Sequence, residues 1–254
     1  MQNTVKTVAA RRAGIVIVTA IPADHDAREV HMLTWLFRKY QQGRRNSERQ
    51  RLAEGRGWQF TASDQALLDR WRGGPFSRRG DRREIIGVVR GETRGVPFTA
   101  FDFRLRTRIV RTGGISRTDE YETVTVWALQ LPAALPPVRV THSSNFGRKI
   151  QAKLGGDVGV LTGDEDFDRR FGVHDASPDF VRELLTPQLR GWLREHKLTG
   201  WRIDGRDLLF VRDVQLLRIK PGTLVALADE LADMIGLFPA AIWTRYGEPQ
   251  RHAR

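Results

Sequence analysis

The residues best suited to chemistry in this sequence form an acidic cluster between positions 164 and 175. Asp164, Asp166 and Asp168 alternate along the chain, and Asp175 is the twelfth residue counted from Asp164. Carboxylates at this spacing partly imitate a calcium-binding loop, in which alternate positions and the twelfth supply oxygen ligands. The imitation fails at the sixth position, because Arg169 stands where such a loop needs glycine and its charge repels a cation.

The same segment also fits a β-strand, and this is the interpretation that we favour. Phe167, Phe171 and Val173 would share the strand face that enters the core. The aspartate and arginine side chains would then pair across the sheet surface. We therefore expect a strand over residues 167–173, and no metal or cofactor site.

His174 and Asp175 raise a second possibility, since a carboxylate beside an imidazole is a common catalytic pair. Adjacent residues rarely face each other, however, and the chain has no GxSxG, HExxH or phosphate-loop motif. The chain also has no cysteine, which excludes thiolate nucleophiles, disulfides and thiolate zinc sites. We predict no catalytic residue. The alternative is a hydrolytic or metal-assisted enzyme that uses Asp164, Asp166, Asp168 and His174.

The net charge of +12 is concentrated in the first part of the sequence. Residues 1–156 carry 28 basic and 14 acidic side chains, whereas residues 157–254 carry 14 basic and 16 acidic ones. The basic residues are 36 arginines and six lysines, a ratio that GC-rich codons also produce without any ligand. A positive surface suits anionic partners such as a membrane leaflet or a phosphate backbone.

Arginines in three segments are predicted to form this surface. One group lies in a basic helix, the second lies in a loop, and the third alternates along a strand, which directs its side chains to one face. We expect a non-enzymatic binding or scaffold module that contacts an anionic membrane surface or an acidic protein. Nucleic acid is a less favoured partner because the sequence shows no nucleic-acid module, and a solvated arginine-rich face is the plain alternative. The candidate residues are Arg44, Arg45, Arg49, Arg78, Arg79, Arg82, Arg83, Arg104, Arg106 and Arg108.

Hydrophobic periodicity predicts an α+β fold, in which an antiparallel β-meander and hairpins pack with helices. Three strands, over residues 84–90, 96–109 and 121–131, form the meander, and a glycine-containing turn joins the first two. Prolines at 132–137 are expected to end the third strand. A further hairpin is expected to turn at Asp204-Gly205.

Cap residues and apolar stripes predict the helices. Ser177 followed by Pro178, and Thr186 followed by Pro187, each combine an N-cap residue with proline at the first helical position. Leucines at helical spacing predict an amphipathic helix over residues 223–235. Residues 241–246 are expected to form a closing strand or turn.

Three parts are predicted along the chain. Residues 1–30 form an N-terminal segment without fixed structure, 31–57 a basic amphipathic helix, and 58–246 an α+β domain that could divide into 58–156 and 157–246. The apolar run 13–23 has the layout of a signal peptide, but Pro22 interrupts it and a membrane-spanning helix needs about 20 residues. A true start at Met32 is another open interpretation. We expect a cytoplasmic protein, peripheral to the membrane if associated with it.

Several motifs occur in an order that resembles a family of uncharacterised proteins from high-GC Gram-positive (actinobacterial) species. The similarity extends from about residue 45 to residue 246. Members of that family are often described as hypothetical, membrane or secreted proteins, so the resemblance implies a fold and no catalytic residues. Many members carry an N-terminal membrane helix, which we do not expect here. The motifs are Gly57–Phe60, Pro75-Phe76, Phe98–Phe103, Asp164–Val173, Ser177–Phe180 and Trp201–Gly205.

Overall fold

The computed structural model describes residues 27–110, 117–143, 159–213 and 219–248. Backbone contacts divide the chain into two units, Met1–Ser47 and Glu48–Arg254. Helix α1 (Ala27–Gly55) begins in the first unit and ends in the second, which contains every other described element. Across these ranges the structure has six α-helices and one six-stranded antiparallel sheet. The predicted α+β class is therefore confirmed.

The strands of the sheet follow one another as a meander. Their bounds are β1 (Gln59–Ser63), β2 (Arg82–Thr93), β3 (Val96–Val110), β4 (Arg117–His142), β5 (Phe171–His174) and β6 (Trp201–Asp213). The hydrogen-bonded order is β1-β2-β3-β4-β5, and β6 pairs with β4. Residues 124–129 of β4 pair with both β3 and β6, and residues 139 and 140 pair with both β5 and β6. Hence β3 and β5 share one edge of β4, and β6 occupies the other edge.

A two-residue turn joins β2 to β3. It confirms the predicted hairpin, but β2 continues to Thr93, so the turn is shorter than the predicted residues 91–95. Arg94 and Gly95 both have positive φ, at 49° and 76°. Such a turn matches the right-handed twist of the flanking strands. The pairing of β3 with β4 extends from Phe98–Leu129 to Val110–Arg117, which confirms the meander of three long strands.

Strand β4 continues through the prolines that were expected to end it, so that prediction is wrong. Residues 132–137 lie where the partners of β4 change. On one edge β3 pairs as far as Leu129 and β5 pairs from Arg139 onward. On the other edge the register with β6 shifts twice between Gln130 and Val138. Proline has no N–H to donate, and a ladder that is already interrupted tolerates it.

Strand β6 is continuous, and the hairpin predicted at Asp204-Gly205 is also wrong. Gly205 has a φ of 62°, so the local turn signal in the sequence is real. The strand nevertheless pairs with β4 on both sides of this glycine, from Val140–Trp201 to Val124–Asp213. Strand β4 is long enough to bond the backbone of β6 on both sides of Gly205. If β6 folded into a local hairpin, these backbone groups would need other hydrogen-bond partners.

Two of the helices after β4 begin at the predicted caps. Ser177 Oγ accepts a hydrogen bond from Phe180 N, and Thr186 Oγ1 accepts one from Leu189 N, both at 3.3 Å. Residues 241–246 are helical and not a strand, because they follow Pro239 with two alanines, the best helix formers. The bounds are α2 (Glu165–Arg170), α3 (Pro178–Leu184), α4 (Pro187–His196), α5 (Pro221–Gly236) and α6 (Ala240–Tyr246).

The sheet lies between two hydrophobic layers. Helices α3 to α6 pack on one side, which we call the helix-covered face, and Trp127 Nε1 donates there to the Leu224 carbonyl at 3.0 Å. The other side, the loop-covered face, packs against the 3₁₀ helix Gln65–Asp69 and the segment after it. On that face the rings of Trp71 and Phe101 stack at 5.5 Å.

A buried ion pair joins the end of α1 to the centre of the sheet. Arg49 Nη2 is 2.6 Å from Asp102 Oδ1, and Arg49 Nη1 donates to the Gly87 carbonyl at 2.6 Å. Thr125 Oγ1 donates to the same aspartate oxygen at 2.7 Å. The two charged side chains are only 7% and 2% exposed. Gly87 lies in a bulge of β2 with a φ of 62°, a conformation that favours glycine.

Removal of one partner from this pair should destabilise the protein more than removal of both. We expect Arg49→Met to lower the free energy of unfolding by about 3–5 kcal/mol, because it leaves the Asp102 charge buried without compensation. The double variant Arg49→Met/Asp102→Leu should lose less. Urea denaturation measures both, with Arg51→Met at an exposed position of α1 as the control. Equal losses for Arg49→Met and Arg51→Met would contradict this account.

Candidate functional site

The sheet gathers four of the predicted arginines on one side. The pairing of β2 with β3 places Arg82 opposite Arg106 and Glu84 opposite Arg104. Arg104, Arg106 and Arg108 alternate along β3 and therefore share a face. Directly opposed residues of two strands also lie on one face. We call Arg82, Arg104, Arg106 and Arg108 the arginine face.

The arginine face lies on the helix-covered side of the sheet, where the packed core ends. Ala100 and Asp102 precede these arginines at alternate positions of β3, and Ala100 belongs to the core under the helices. Asp102 is held by the buried ion pair with Arg49. Beyond it, Arg104 is half-buried and Arg108 is exposed. The ion pair therefore separates core positions from solvent-facing positions along one strand.

Carboxylates offset part of the charge of the arginine face. Glu84 is shared, because its Oε1 lies 2.8 Å from Arg82 Nε and its Oε2 lies 3.7 Å from Arg104 Nη1. Asp81 Oδ2 accepts a hydrogen bond from Arg108 N. Four guanidinium groups thus lie on adjacent strands, and Glu84 is shared between two of them. The Arg82 side chain is 64% exposed, so this charge reaches the solvent.

The other predicted arginines do not belong to these two strand faces by register, and Arg78 and Arg83 have partners of their own. Arg78 forms an ion pair with Glu122, and Arg83 Nη1 donates to the Phe76 carbonyl at 2.9 Å on the loop-covered face. Arg49, expected among the binding residues, is instead 5% exposed and holds Asp102. Arg79 is exposed in the loop before β2, and Arg44 and Arg45 lie on α1 in the first unit.

The segment predicted as a strand over 167–173 is a helix followed by a short strand. Asp164 is the N-cap of α2, and its Oδ1 accepts a hydrogen bond from Phe167 N at 3.1 Å. Acidic residues occupy the first turn of α2 and arginines the last, an order that matches the helix dipole. The rings of Phe167 and Phe171 stack at 4.4 Å. Their spacing of four fits a helix as well as a strand, so alternation alone gave the wrong prediction.

Asp164 acts as a charged link between two helices. Its carboxylate accepts hydrogen bonds from Arg190 Nε at 3.1 Å and from Arg194 Nη1 at 3.0 Å, both on α4. The hydrogen bond from Phe167 N and the two guanidinium groups lower the pKa of Asp164 below its usual value of 3.8, and burial opposes them. This carboxylate therefore ties α2 to α4.

The other members of the acidic cluster serve separate contacts. Asp168 is buried, and its Oδ1 accepts from Thr162 N at 3.0 Å and from Thr162 Oγ1 at 2.9 Å. Asp166 is 72% exposed and pairs with Arg169 on its own helix. In the ranges that the structure describes, no three His, Asp or Glu side chains are grouped so that they could hold a metal ion.

His174 and Asp175 lie at the end of β5, next to an arginine of β4. His174 stands opposite Arg139 in the register, and the Asp175 carboxylate accepts from Arg139 Nε at 2.8 Å. Asp175 also has a φ of 63°. The alternative enzyme site requires Asp164, Asp166, Asp168 and His174 to converge, and the three aspartates are instead engaged with different partners.

Comparison with known proteins assigns no family to the chain. No protein-family model and no curated protein matches it. Among solved structures, it is similar to the crystal structure of the mycobacterial trehalose monomycolate transport factor A, TtfA, with 16% sequence identity and a TM-score of 0.48. The alignment covers 81% of this chain and 98% of that chain.

Loss of the Asp164 charge should reduce stability in a pH-dependent way. A carboxyl whose pKa is lower in the folded protein stabilises the fold above its unfolded pKa, and this contribution is lost as the pH falls through the folded pKa. Asp164→Asn keeps a good N-cap residue but removes the charge. We expect it to be less stable than the parent at neutral pH, with the difference shrinking below the usual value of 3.8.

Urea unfolding between neutral pH and about pH 3 measures this difference. Asp166→Asn, at an exposed position of the same helix, is the matched control and should change the free energy of unfolding by no more than about 0.5 kcal/mol. A difference between Asp164→Asn and the parent that stays constant over the whole pH range would contradict the electrostatic link.

Proposed function

We propose that this protein is a non-enzymatic binding module whose arginine face contacts an anionic membrane surface. The observation that carries the proposal is the register of β2 and β3, which places Arg82 beside Arg106 and between neighbouring arginines of the same face. Arg82, which is distant in the sequence from the other three arginines, is thus brought beside them in one array of arginine side chains. The hydrolytic or metal-assisted alternative has no comparable convergence of side chains to support it.

The geometry of the arginine face suits a surface more than a small molecule. Its side chains project from adjacent strands, so the array is two-dimensional and follows the sheet. Guanidinium groups can bind phosphate oxygens through two parallel hydrogen bonds, which suits lipid headgroups. The strands beneath are held in place by the buried pair of Arg49 and Asp102, which limits the freedom of the array.

Electrostatic attraction, and not insertion into the bilayer, should dominate this contact. Among the described residues, the large hydrophobic side chains that are exposed are Tyr40 and Leu161, at 67% and 63%. In the same ranges no helix combines the length and the nonpolar character needed to cross a bilayer. Basic residues near an anionic leaflet each contribute about 1 kcal/mol, and this attraction weakens as salt screens it.

Vesicle co-sedimentation tests the proposal. We expect binding to phosphatidylcholine vesicles that contain phosphatidylglycerol, little binding to phosphatidylcholine alone, and release as the salt concentration rises. The double variant Arg82→Gln/Arg108→Gln should bind at least about tenfold more weakly, because two exposed cations contribute about 2 kcal/mol. The matched control is Arg182→Gln/Arg245→Gln, which removes the same charge from side chains that are 65% and 66% exposed.

Two outcomes would count against the proposal. Equal and negligible binding to neutral and anionic vesicles would eliminate the membrane surface and leave an acidic protein as the partner to examine. Equal weakening by both double variants would show that only the net charge matters, and that the arginine face has no special role.

A further inference from the structure

A pocket of about 310 Å³ opens on the loop-covered face, where the segment after the 3₁₀ helix meets β4 and β6. Pockets that bind small molecules start at about this volume. The pocket is distant in the fold from the arginine face, because it lies on the opposite side of the sheet. Its charged lining residues are Arg72, Arg139, Arg202, Asp175 and Asp204.

The central cation of this pocket, Arg202, is half-buried and only partly compensated. Its Nη2 donates to the Arg72 carbonyl at 2.5 Å and its Nη1 donates to the Gly74 carbonyl. Its Nε is buried and has no hydrogen-bond partner among the described residues. Asp204 Oδ2 lies 3.8 Å from Nη2, too far for a hydrogen bond. Burial lowers the pKa of Arg202 from its usual value, because the charged form is poorly solvated there.

The two carboxylates of the pocket already serve other groups. Asp175 accepts from Arg139 Nε at 2.8 Å, and Asp204 accepts from Arg72 N at 3.1 Å. The Arg72 side chain is exposed and forms no hydrogen bond or ion pair with the part of the chain that the structure describes. Three arginines and two aspartates line the pocket, so its lining residues carry one net positive charge.

Unusual backbone conformations shape the wall of the pocket. Gly73 has a φ of 77°, and a Cβ at this position would lie 3.1 Å from Arg202 Nη1. Asp175 has a φ of 63°, which non-glycine residues rarely adopt. Such residues cost free energy and occur most often at functional sites. Both residues line the same cavity, and both contact an arginine of its wall or approach one closely.

We infer that this pocket binds the carboxylate of a small organic acid. One net positive charge matches a monoanion, and a planar carboxylate matches the fork of a guanidinium group. A phosphate monoester carries about −1.5 to −2 charge at pH 7, more than the pocket can neutralise. The volume of about 310 Å³ limits the ligand to a small acid. This inference does not depend on the membrane contact proposed above.

Isothermal titration calorimetry with hexanoate tests the inference, with the neutral hexanamide and inorganic phosphate as comparison probes at the same ionic strength. We expect hexanoate to bind saturably with one site per chain, and hexanamide and phosphate to bind at least about tenfold more weakly. Arg72→Gln should weaken hexanoate binding about tenfold or more, because it removes the exposed cation of the pocket. Its melting temperature should stay close to that of the parent.

Arg79→Gln is the matched control, since Arg79 is exposed in the same loop but does not line the pocket. It should bind hexanoate as the parent does. The inference is overturned by absence of hexanoate binding, by equal weakening in Arg72→Gln and Arg79→Gln, or by hexanamide or phosphate binding as tightly as hexanoate. The first result would mean that the pocket holds only solvent. The second would mean that binding depends on net charge alone, and the third that the pocket binds a different class of ligand.

Discussion

The buried ion pair between Arg49 and Asp102 is the interaction on which the arrangement of the basic surface depends. Two charges with little access to water are stable only while each compensates the other. Because Arg49 also binds the Gly87 carbonyl, the end of α1 is fixed to both β2 and β3. Side chains before Asp102 on this face enter the core, and those after it face outward. The pair therefore determines where the arginine face begins.

The same use of carboxylates recurs on the loop-covered face. Asp207 is buried, and its Oδ2 accepts hydrogen bonds from Trp71 Nε1 at 2.7 Å and from Arg70 Nε at 3.1 Å. These bonds attach the beginning of the 70–76 segment to β6, directly before Arg72 enters the pocket wall. Many arginines of this chain thus have a structural role. The arginines that remain available to a ligand are those that outnumber the carboxylates around them.

Local signals in the sequence were sufficient where structure is local. The caps at Ser177 and Thr186 and the hairpin after β2 depend on a few neighbouring residues. All three were predicted, although the turn of the hairpin is shorter than expected. The predictions were wrong where residues far apart in the sequence determine the local structure. The prolines at 132–137 predicted the end of a strand, and the glycine at 205 predicted a hairpin turn. Both strands nevertheless continue, because they are paired with other strands on either side of these residues. Helix α2 was missed because two phenylalanines four residues apart fit the spacing of a helix as well as that of a strand. The acidic residues in its first turn and the arginines in its last turn favour the helix.

The two candidate sites differ in how far a sequence can reveal them. Alternation along β3 was enough to place Arg104, Arg106 and Arg108 on one face, whereas the register was needed to add Arg82. The pocket has no comparable signature, because Arg72 and Arg202 are 130 residues apart and meet only when β6 lies beside β4. Since the sheet separates the two sites, a contact at the arginine face leaves the pocket on the other side accessible. One sheet can therefore carry both proposed anion-binding sites without competition for space.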